Sequence, residues 1–519
     1  MNRHSIMNLV RGAVVFVLSL LVLTGCGTAP EKDSHTLTYA SPDYVTINPI
    51  LNSHDELPNL IFSGLMKYDG HGNAVPDLAE SYEFDKGTLT YTFHLRDGVT
   101  WHDGTAFTAQ DVAFTLDALT HTDGLEAAIT DNYKDIESVE TPDDKTVRIR
   151  LRRPNAAMLN YLTIGILPKH LLKGKDIMND EFNSHPIGTG RYVFESWDKG
   201  QSIVLKRNDA YYGTVPKIER IIFKIIPDET AKAAQVKAGT VDLAWLNAQN
   251  AQTFREDPSV VVYDFKTADY RAIAPNFKAP FWQAHRELVP LLGYAIDKEA
   301  LIKSVLAGQG EVAYSPIQQN RYYSNDAVEK RTYDPQRFKD AVEQLGWTIG
   351  DDGIYEKNGE KLSFSVDARD YETERVDMAN VVAAQLKTVG VDMKVHIVSK
   401  VDWKHLESFL IGEAAPYDPD NGTADLFGTG GSGNYTAYSD SAVDAALAQA
   451  RMTYDKEQRK VYYDEFQHLW AQDPAYIMLV YLDGNYVATP RLKGIATDRV
   501  LGHHAAGIFW NVEDWSLEP

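Results

Sequence analysis

The sequence predicts a mixed α/β protein of several domains, on three observations. Short strand-like runs recur between stretches with helical apolar spacing. The chain has 519 residues, enough for roughly two to four domains at ~150 residues each. Hydrophobic residues make up 44% and charged residues 24%, the balance of a packed globular chain and not of a disordered or coiled-coil one. Aromatics reach 11%, with 28 Tyr and 9 Trp, side chains that suit surfaces part apolar and part wet.

The first 25 residues stand apart. Arg3 and Arg11 give a positive start, and Gly12 to Leu23 is apolar. That run is too short to span a bilayer and fits the core of a secretory signal. It ends in Leu23-Thr24-Gly25-Cys26, which resembles the bacterial lipobox, where cleavage precedes a Cys that then carries lipid. Cys26 is the sole cysteine, so intrachain disulfides and Cys-rich metal sites are excluded. Residues 1–25 read as a lipoprotein signal peptide and 26–35 as a polar tether. Double acylation at Cys26 would anchor the protein stably. No later segment reaches 18 apolar residues, so the body is expected to be soluble, outside the cytoplasmic membrane. His54-Asp55-Glu56-Leu57 is internal and is no retention signal. Net charge is −22, and removal of residues 1–25 takes two Arg and no acid. A nucleic-acid partner is excluded, because no basic footprint exists.

Along the body, Leu89 to Arg96 alternates apolar and polar residues as a half-buried strand does, and Val147 to Leu151 and Ile203 to Lys206 look similar. Asp111 to Ala118 has helical spacing. Ala295 to Leu306 reads as a helix capped by Asp297 and stopped at Gly308. Val376 to Val389, Asp440 to Met452 and Lys456 to Leu469 read as further helices. Gly and Pro clusters break the chain near 186–190, 278–280, 415–434 and 489–490. The Gly-rich stretch Gly422 to Asn434 lacks a following Gly-Lys-Ser/Thr, so it reads as a surface loop and not as a phosphate cradle.

Six ordered blocks carry a resemblance. They are GLMKYDGHGNAVPDLAESY (Gly64 to Tyr82), YTFHLRDGVTWHDGTAFTAQDV (Tyr91 to Val112), PIGTGRYVF (Pro186 to Phe194) with LKRNDAYYG, YAIDKEALIKSVLAGQG (Tyr294 to Gly310), YDPQRFKDAVEQLGW (Tyr333 to Trp347), and PYDPDN (Pro416 to Asn421) with NYTAYSD. Together they resemble the solute-binding proteins of peptide/nickel-type ABC importers, extracellular solute-binding protein family 5. The residues themselves mostly mark turns and caps: Asp97-Gly98 and Asp103-Gly104 are turn pairs, Thr108 is a helix cap, and His102 is a turn residue.

The resemblance implies an α/β fold of two lobes, of the periplasmic-binding-protein type II kind, with an additional α+β domain in lobe I. Two crossing segments would act as the hinge. Expected boundaries are 36–55, 186–268 and 484–519 for lobe I, 56–185 for the additional domain, and 269–483 for lobe II. The expected role is capture of a short peptide and delivery to membrane permease subunits driven by cytoplasmic ATPases. The expected receptor is monomeric, needs no cofactor, and sits in the periplasm or on the outer face of the membrane.

A peptide in a closed cleft needs both terminal charges paired. In dipeptide-binding relatives an Arg before an aromatic residue takes the carboxylate; here the resemblance points to Arg369, with Tyr371 as a wall. The amine-binding Asp of those relatives falls on Ala415, so Glu413, Asp418 or Asp420 is left for that role. Ala415 to Pro419 instead resembles the nickel-binding branch, in which the Tyr, here Tyr417, lines the site. That branch's gripping Arg residues have no counterpart in Leu162 to Leu171. Peptide is the expected ligand, and nickel, a metal chelate or another small solute the alternative. Tyr417, Asp418, Asp420 and Asn421 complete the expected binding segment. Arg191 stands where the family has Pro, and could face the cleft. His503 and His504 are weak metal candidates, since neighbours on a strand point to opposite faces. Trp403 is a candidate wall, as are Trp245, Trp282 and Trp510.

A secreted hydrolase is the competing class. It would need a nucleophile with its base, or a metal cluster. Neither Gly-x-Ser-x-Gly nor His-Glu-x-x-His occurs, and the only Cys is assigned to lipid. Paired carboxylates of the glycosidase kind stay open, because 73 acids bring some pairs close.

Overall fold

The computed structural model describes residues 34–51, 56–320, 322–403, 405–415 and 417–518. The signal peptide, Cys26 and most of the tether lie outside the described residues. A long mixed sheet organises the rest. Its strands are β1 (Thr36–Ser41), β6 (Tyr192–Asp198), β7 (Ser202–Arg207), β8 (Arg220–Ile225), β9 (Leu243–Leu246), β10 (Val261–Pro275), β11 (Ser363–Arg369), β12 (Asp392–Val398), β13 (Ser408–Glu413) and β14 (Ile477–Ala488). Their order is β12-β11-β13-β10-β14-β9-β1-β8-β7-β6, and the short Glu311–Val312 strand pairs with β14 off that path.

Two strands run through both halves. Val261–Lys266 of β10 pairs with Asp483–Ala488 of β14, and Tyr270–Ile273 pairs with Ile477–Tyr481. Between Lys266 and Tyr270 the register shifts. That irregularity is where the two halves meet, because a ladder break is where a sheet bends. β14 is almost wholly buried, and β10 is buried from Thr267 onward, where each carries apolar side chains to both faces. The result is the two-lobed α/β architecture.

A separate antiparallel sheet comprises β2 (Ala79–Asp85), β3 (Thr90–Leu95), β4 (Ile136–Asp143) and β5 (Thr146–Leu151), in the order β2-β3-β5-β4. Helix α1 (Ala109–His121) covers it, and the Asp111 carboxylate accepts the Thr108 N–H at 2.9 Å. Tyr91, Phe93, Val112, Leu116, Val147 and Ile149 share one core with Leu37 and Ile221 of the large sheet. This sheet therefore moves as one body with β1 and β8. The opposite lobe has two cores, one on each face of its half-sheet. Its helices include α2 (Thr373–Thr388), α3 (Ser441–Met452) and α4 (Lys456–Gln472). Asp440 and Asp455 cap the last two, accepting Ala442 N–H at 2.7 Å and Gln458 N–H at 2.8 Å. The stretch 422–434, read as a plain loop, holds a short helix, Ala424–Phe427. Leu426 and Phe427 bury there, the Phe427 ring edge-on to Trp470 and Tyr476.

Candidate functional site

The site begins at the ladder break. β10 continues from Lys266 through Asp269, Tyr270 and Arg271, so charged residues enter a strand whose neighbours are apolar. Alternation sends Tyr270 to one face of the half-sheet and Arg271 to the other. Arg271 lies opposite Gly412 of β13, and glycine is required there: a Cβ would collide with the guanidiniums of Arg271 and Arg375. Arg375 comes from the first turn of α2. Both side chains are buried, 4% and 3% exposed. Arg271 ion-pairs with Asp269 and Arg375 with Glu372. The Arg271 Nε nonetheless has no acceptor. Burial, with Arg271 alongside, pulls the Arg375 pKa down to about 10. The two guanidiniums are packed together with the carboxylates of Asp269, Glu372 and Glu374 around them.

The C-terminal segment faces this corner from the other lobe. His503 Nδ1 lies 3.1 Å from Asp269, and the His504 N–H donates to Asp269 Oδ2 at 3.0 Å. Burial opposes ionisation of Asp269, but Arg271 and His503 outweigh it and hold the carboxyl well below the usual range. The two histidines are not on a strand, as the sequence suggested. They sit in a 3-10 turn, with His504 at φ 52°. Their rings are therefore neighbours, centroids 3.9 Å apart, on one side of the chain. The His504 ring is exposed, yet surrounding protein and His503 push its pKa far down. Glu413, at the end of β13, has the same character: half-buried and pushed up to about 7, chiefly by burial. Trp245 meets His504 edge-on at 6.4 Å.

Arg369, Tyr371 and Trp403 come together, but on the rim. Arg369 Nη1 donates to the Tyr371 hydroxyl at 2.8 Å, and Tyr371 is 66% exposed. Trp403 stacks on Tyr435 at 4.5 Å. The inner cations are Arg271 and Arg375, which the sequence reading missed. Arg375 stands six residues beyond Arg369. Arg271 had one legible signal, a cation directly before the apolar stretch Ala272–Pro275.

The DPDN segment does different work from that expected of it. Asp418 accepts from both Arg459 nitrogens, at 2.6 and 2.8 Å, and from Asn160 Nδ2 at 2.8 Å. Asp420 accepts from Arg451 at 3.0 and 2.8 Å, and from the Tyr161 hydroxyl. Both carboxylates are buried, 5% and 2% exposed, so neither has room for a ligand amine. Asn421 is exposed at a turn. Asn160 and Tyr161 belong to the small-sheet body, so these bonds fasten one lobe to the other. Tyr417 adds to this seam, its ring 4.1 Å from Tyr68 and its hydroxyl accepting from Arg499 at 2.9 and 2.7 Å.

Arg191 does not reach the cleft. It pairs with Glu513 at 2.6 Å and donates to the Trp510 and Asn59 carbonyls, tying the C-terminus to its own lobe. His102 holds the turn at Gly188 and Gly190, and burial pulls its pKa down to about 4. Trp282 is core, fully buried against Phe364. Among the described residues, no group of three or more His, Cys, Asp or Glu converges as a metal site, and no helix is long and apolar enough to cross a membrane.

The family model described as "Bacterial extracellular solute-binding proteins, family 5 Middle" matches residues 73–451. The oligopeptide-binding protein AppA of Bacillus subtilis (strain 168) is 29% identical over 515 residues, covering 94% of this chain and 92% of that protein. The structure of AppA with a nonapeptide superposes with a TM-score of 0.82 at 28% identity, over 93% of this chain and 99% of that one. NikZ from Campylobacter jejuni in complex with Ni(L-His) superposes with a TM-score of 0.86 at 35% identity, over 93% and 100%.

Proposed function

We propose a function on one premise: the chain belongs to family 5 of the bacterial extracellular solute-binding proteins. It is the receptor of an ABC importer, and it holds a small zwitterionic solute, a short peptide or an amino acid, between its lobes. The solute leaves unaltered, so the protein is not an enzyme. Membrane permease subunits with cytoplasmic ATPases receive it, and a lipid on Cys26 keeps the monomeric receptor at the membrane. We assign 269–483 to one lobe and the flanking segments 36–268 and 484–519 to the other.

The observation that carries this reading is the cationic corner of Arg271, Arg375 and Gly412. A solute carboxylate there accepts from two desolvated guanidiniums and relieves their mutual repulsion. Arg369, on the rim, meets the solute first. Calorimetric titration with di-, tri- and tetraalanine and with the twenty L-amino acids tests it. Binding that is lost in Arg271→Gln is expected; binding indifferent to Arg271 refutes the corner as the carboxylate site.

A second reading has its own support. The His504 imidazole stays neutral at pH 7 and stands exposed beside His503 and Trp245, and neutral imidazole binds Ni(II) well. NikZ, 35% identical, was solved with Ni(L-His). In that reading the solute is a metal chelate whose carboxylate takes the same corner. Titration with Ni(II) plus L-histidine against L-histidine alone separates the two.

A further inference from the structure

Glu374 stands beside the two guanidiniums and has no cation of its own. It sits in the first turn of α2, directly before Arg375. The buried cations around it each have a carboxylate already. Arg271 has Asp269 and Arg375 has Glu372, which also holds Arg369 at 3.8 Å. Lys232, on the helix Glu229–Lys237 of the other lobe, has Glu229 at 2.6 Å, and Glu229 is further fixed by accepting the Asn247 N–H at 3.1 Å. Glu374 makes no hydrogen bond or ion pair among the described residues, and it is half-buried. Burial pushes its pKa up; Arg271 and Arg375 work against that, and Asp269 and Glu229 add to it. The influence of Glu229 comes from the opposite lobe, so Glu374 faces the space between the two. Trp245, half-buried in β9, flanks the same space, its ring 5.5 Å from the Lys232 ammonium and edge-on to His504.

A partly desolvated carboxylate with no cation is unfavourable unless a bound group pairs it. The proposed solute sets which group can do so. Its own carboxylate accepts from Arg271 and Arg375. In a peptide the nitrogen next to that carboxylate is an amide and carries no charge. The one cation that the C-terminal residue can bring to Glu374 is therefore its side chain. Lysine and arginine both end a flexible apolar stem in a cation, and Trp245 offers that stem an aromatic wall.

We propose that Glu374 selects the C-terminal side chain of the bound peptide, and that the preferred solutes are short peptides ending in lysine or arginine. This inference rests on the reading of the solute as a peptide with its carboxylate on Arg271 and Arg375. It concerns the side chain next to that carboxylate and is independent of what holds the amine at the other end.

The test is calorimetric titration of the full mature protein with matched dipeptides. Alanyl-lysine is compared with alanyl-norleucine, and alanyl-arginine with alanyl-citrulline, pairs alike in stem and different in charge. Lysyl-alanine against norleucyl-alanine moves the same charge to the other residue. The charged member of each C-terminal pair is expected to bind at least about tenfold more tightly than its neutral twin, with no such gap in the lysyl-alanine pair. Glu374→Gln, an isosteric change, is expected to abolish the gap. Equal binding within both C-terminal pairs overturns the subsite and leaves the peptide receptor standing. So does a gap that survives in Glu374→Gln, or one as large for lysyl-alanine as for alanyl-lysine. Should the variant not fold, the wild-type pairs decide alone. If no dipeptide binds at all, the peptide reading falls and the subsite falls with it.

Discussion

Tyr161→Phe removes one oxygen from the seam between the lobes, and its effect can be worked out from the structure. The hydroxyl donates to Asp420 in a buried setting. A hydrogen bond to a charged group contributes about 1.5–3 kcal/mol. Phe leaves no orphan charge, because Asp420 still accepts three bonds from Arg451. The ring stays in the core, 5% exposed, so packing is unchanged. In an open form the phenol bonds water instead, so the loss falls on the closed form alone. At 1.4 kcal/mol per factor of ten, the closed-to-open ratio drops roughly 10- to 150-fold. If the closed form is the minor one without solute, the apparent Kd rises by the same factor. Calorimetry with whichever solute binds the wild type reads the affinity. Small-angle scattering, with and without solute, reads the shape. Equal affinity together with superimposable scattering curves refutes the seam. So does a drop in urea midpoint with neither of these changed, since that makes the hydroxyl a core group only.

Arg459→Ala strips Asp418 of both its guanidinium bonds and leaves it buried beside Asn160. It is expected to cost about 3–5 kcal/mol of stability, read as a lowered urea midpoint; an unmoved midpoint speaks against the pair. Gly412→Ala drives a methyl between Arg271 and Arg375. Affinity for a carboxylate-bearing solute is expected to fall at least about tenfold, with the circular dichroism spectrum kept; full affinity would mean the corner is not used. Glu413 is pushed up from 4.5 to about 7, so the folded protein keeps this proton where the unfolded chain has lost it. Stability of the solute-free protein therefore falls as pH rises from about 4.5 to 7, by about 1–3 kcal/mol. Glu413→Gln should flatten that slope in a melting-temperature series, and an identical slope in the variant counts against it.

Much of the fold was legible because its signals are local. Asp297, Asp440 and Thr108 mark helix starts by the groups they offer free backbone N–H, and Gly308, at φ 83°, marks a stop that L side chains disfavour. The site was less legible because its residues meet only in three dimensions. Arg369 was picked out as an Arg standing before an aromatic residue, yet the guanidiniums buried beside Gly412 are Arg271 and Arg375, one on a hinge strand and one in a helix. Asp418 and Asp420 looked like free acids in sequence. Their partners Arg459 and Arg451 are about 30 to 40 residues on, and Asn160 and Tyr161 more than 250 residues back, a separation no periodicity reports. The histidine pair was misjudged because a strand was assumed; a left-handed residue at His504 turns both rings to one side.

The position of Asp269 ties recognition to motion. It lies inside the register break between Lys266 and Tyr270, where β10 passes from one lobe to the other. From there it holds Arg271 in its own lobe and His503 and the His504 N–H in the other. A carboxylate arriving at Arg271 competes for the same guanidinium that Asp269 engages. Binding therefore acts on the side chain that spans the bend, with no lever between site and hinge. Such an arrangement can bias the open–closed equilibrium only by the difference in affinity for the two forms. The outer seam of Asp418, Asp420 and Tyr417 is built from satisfied pairs that fasten one lobe to the other, while Arg271 Nε, beside the bend, is left without an acceptor.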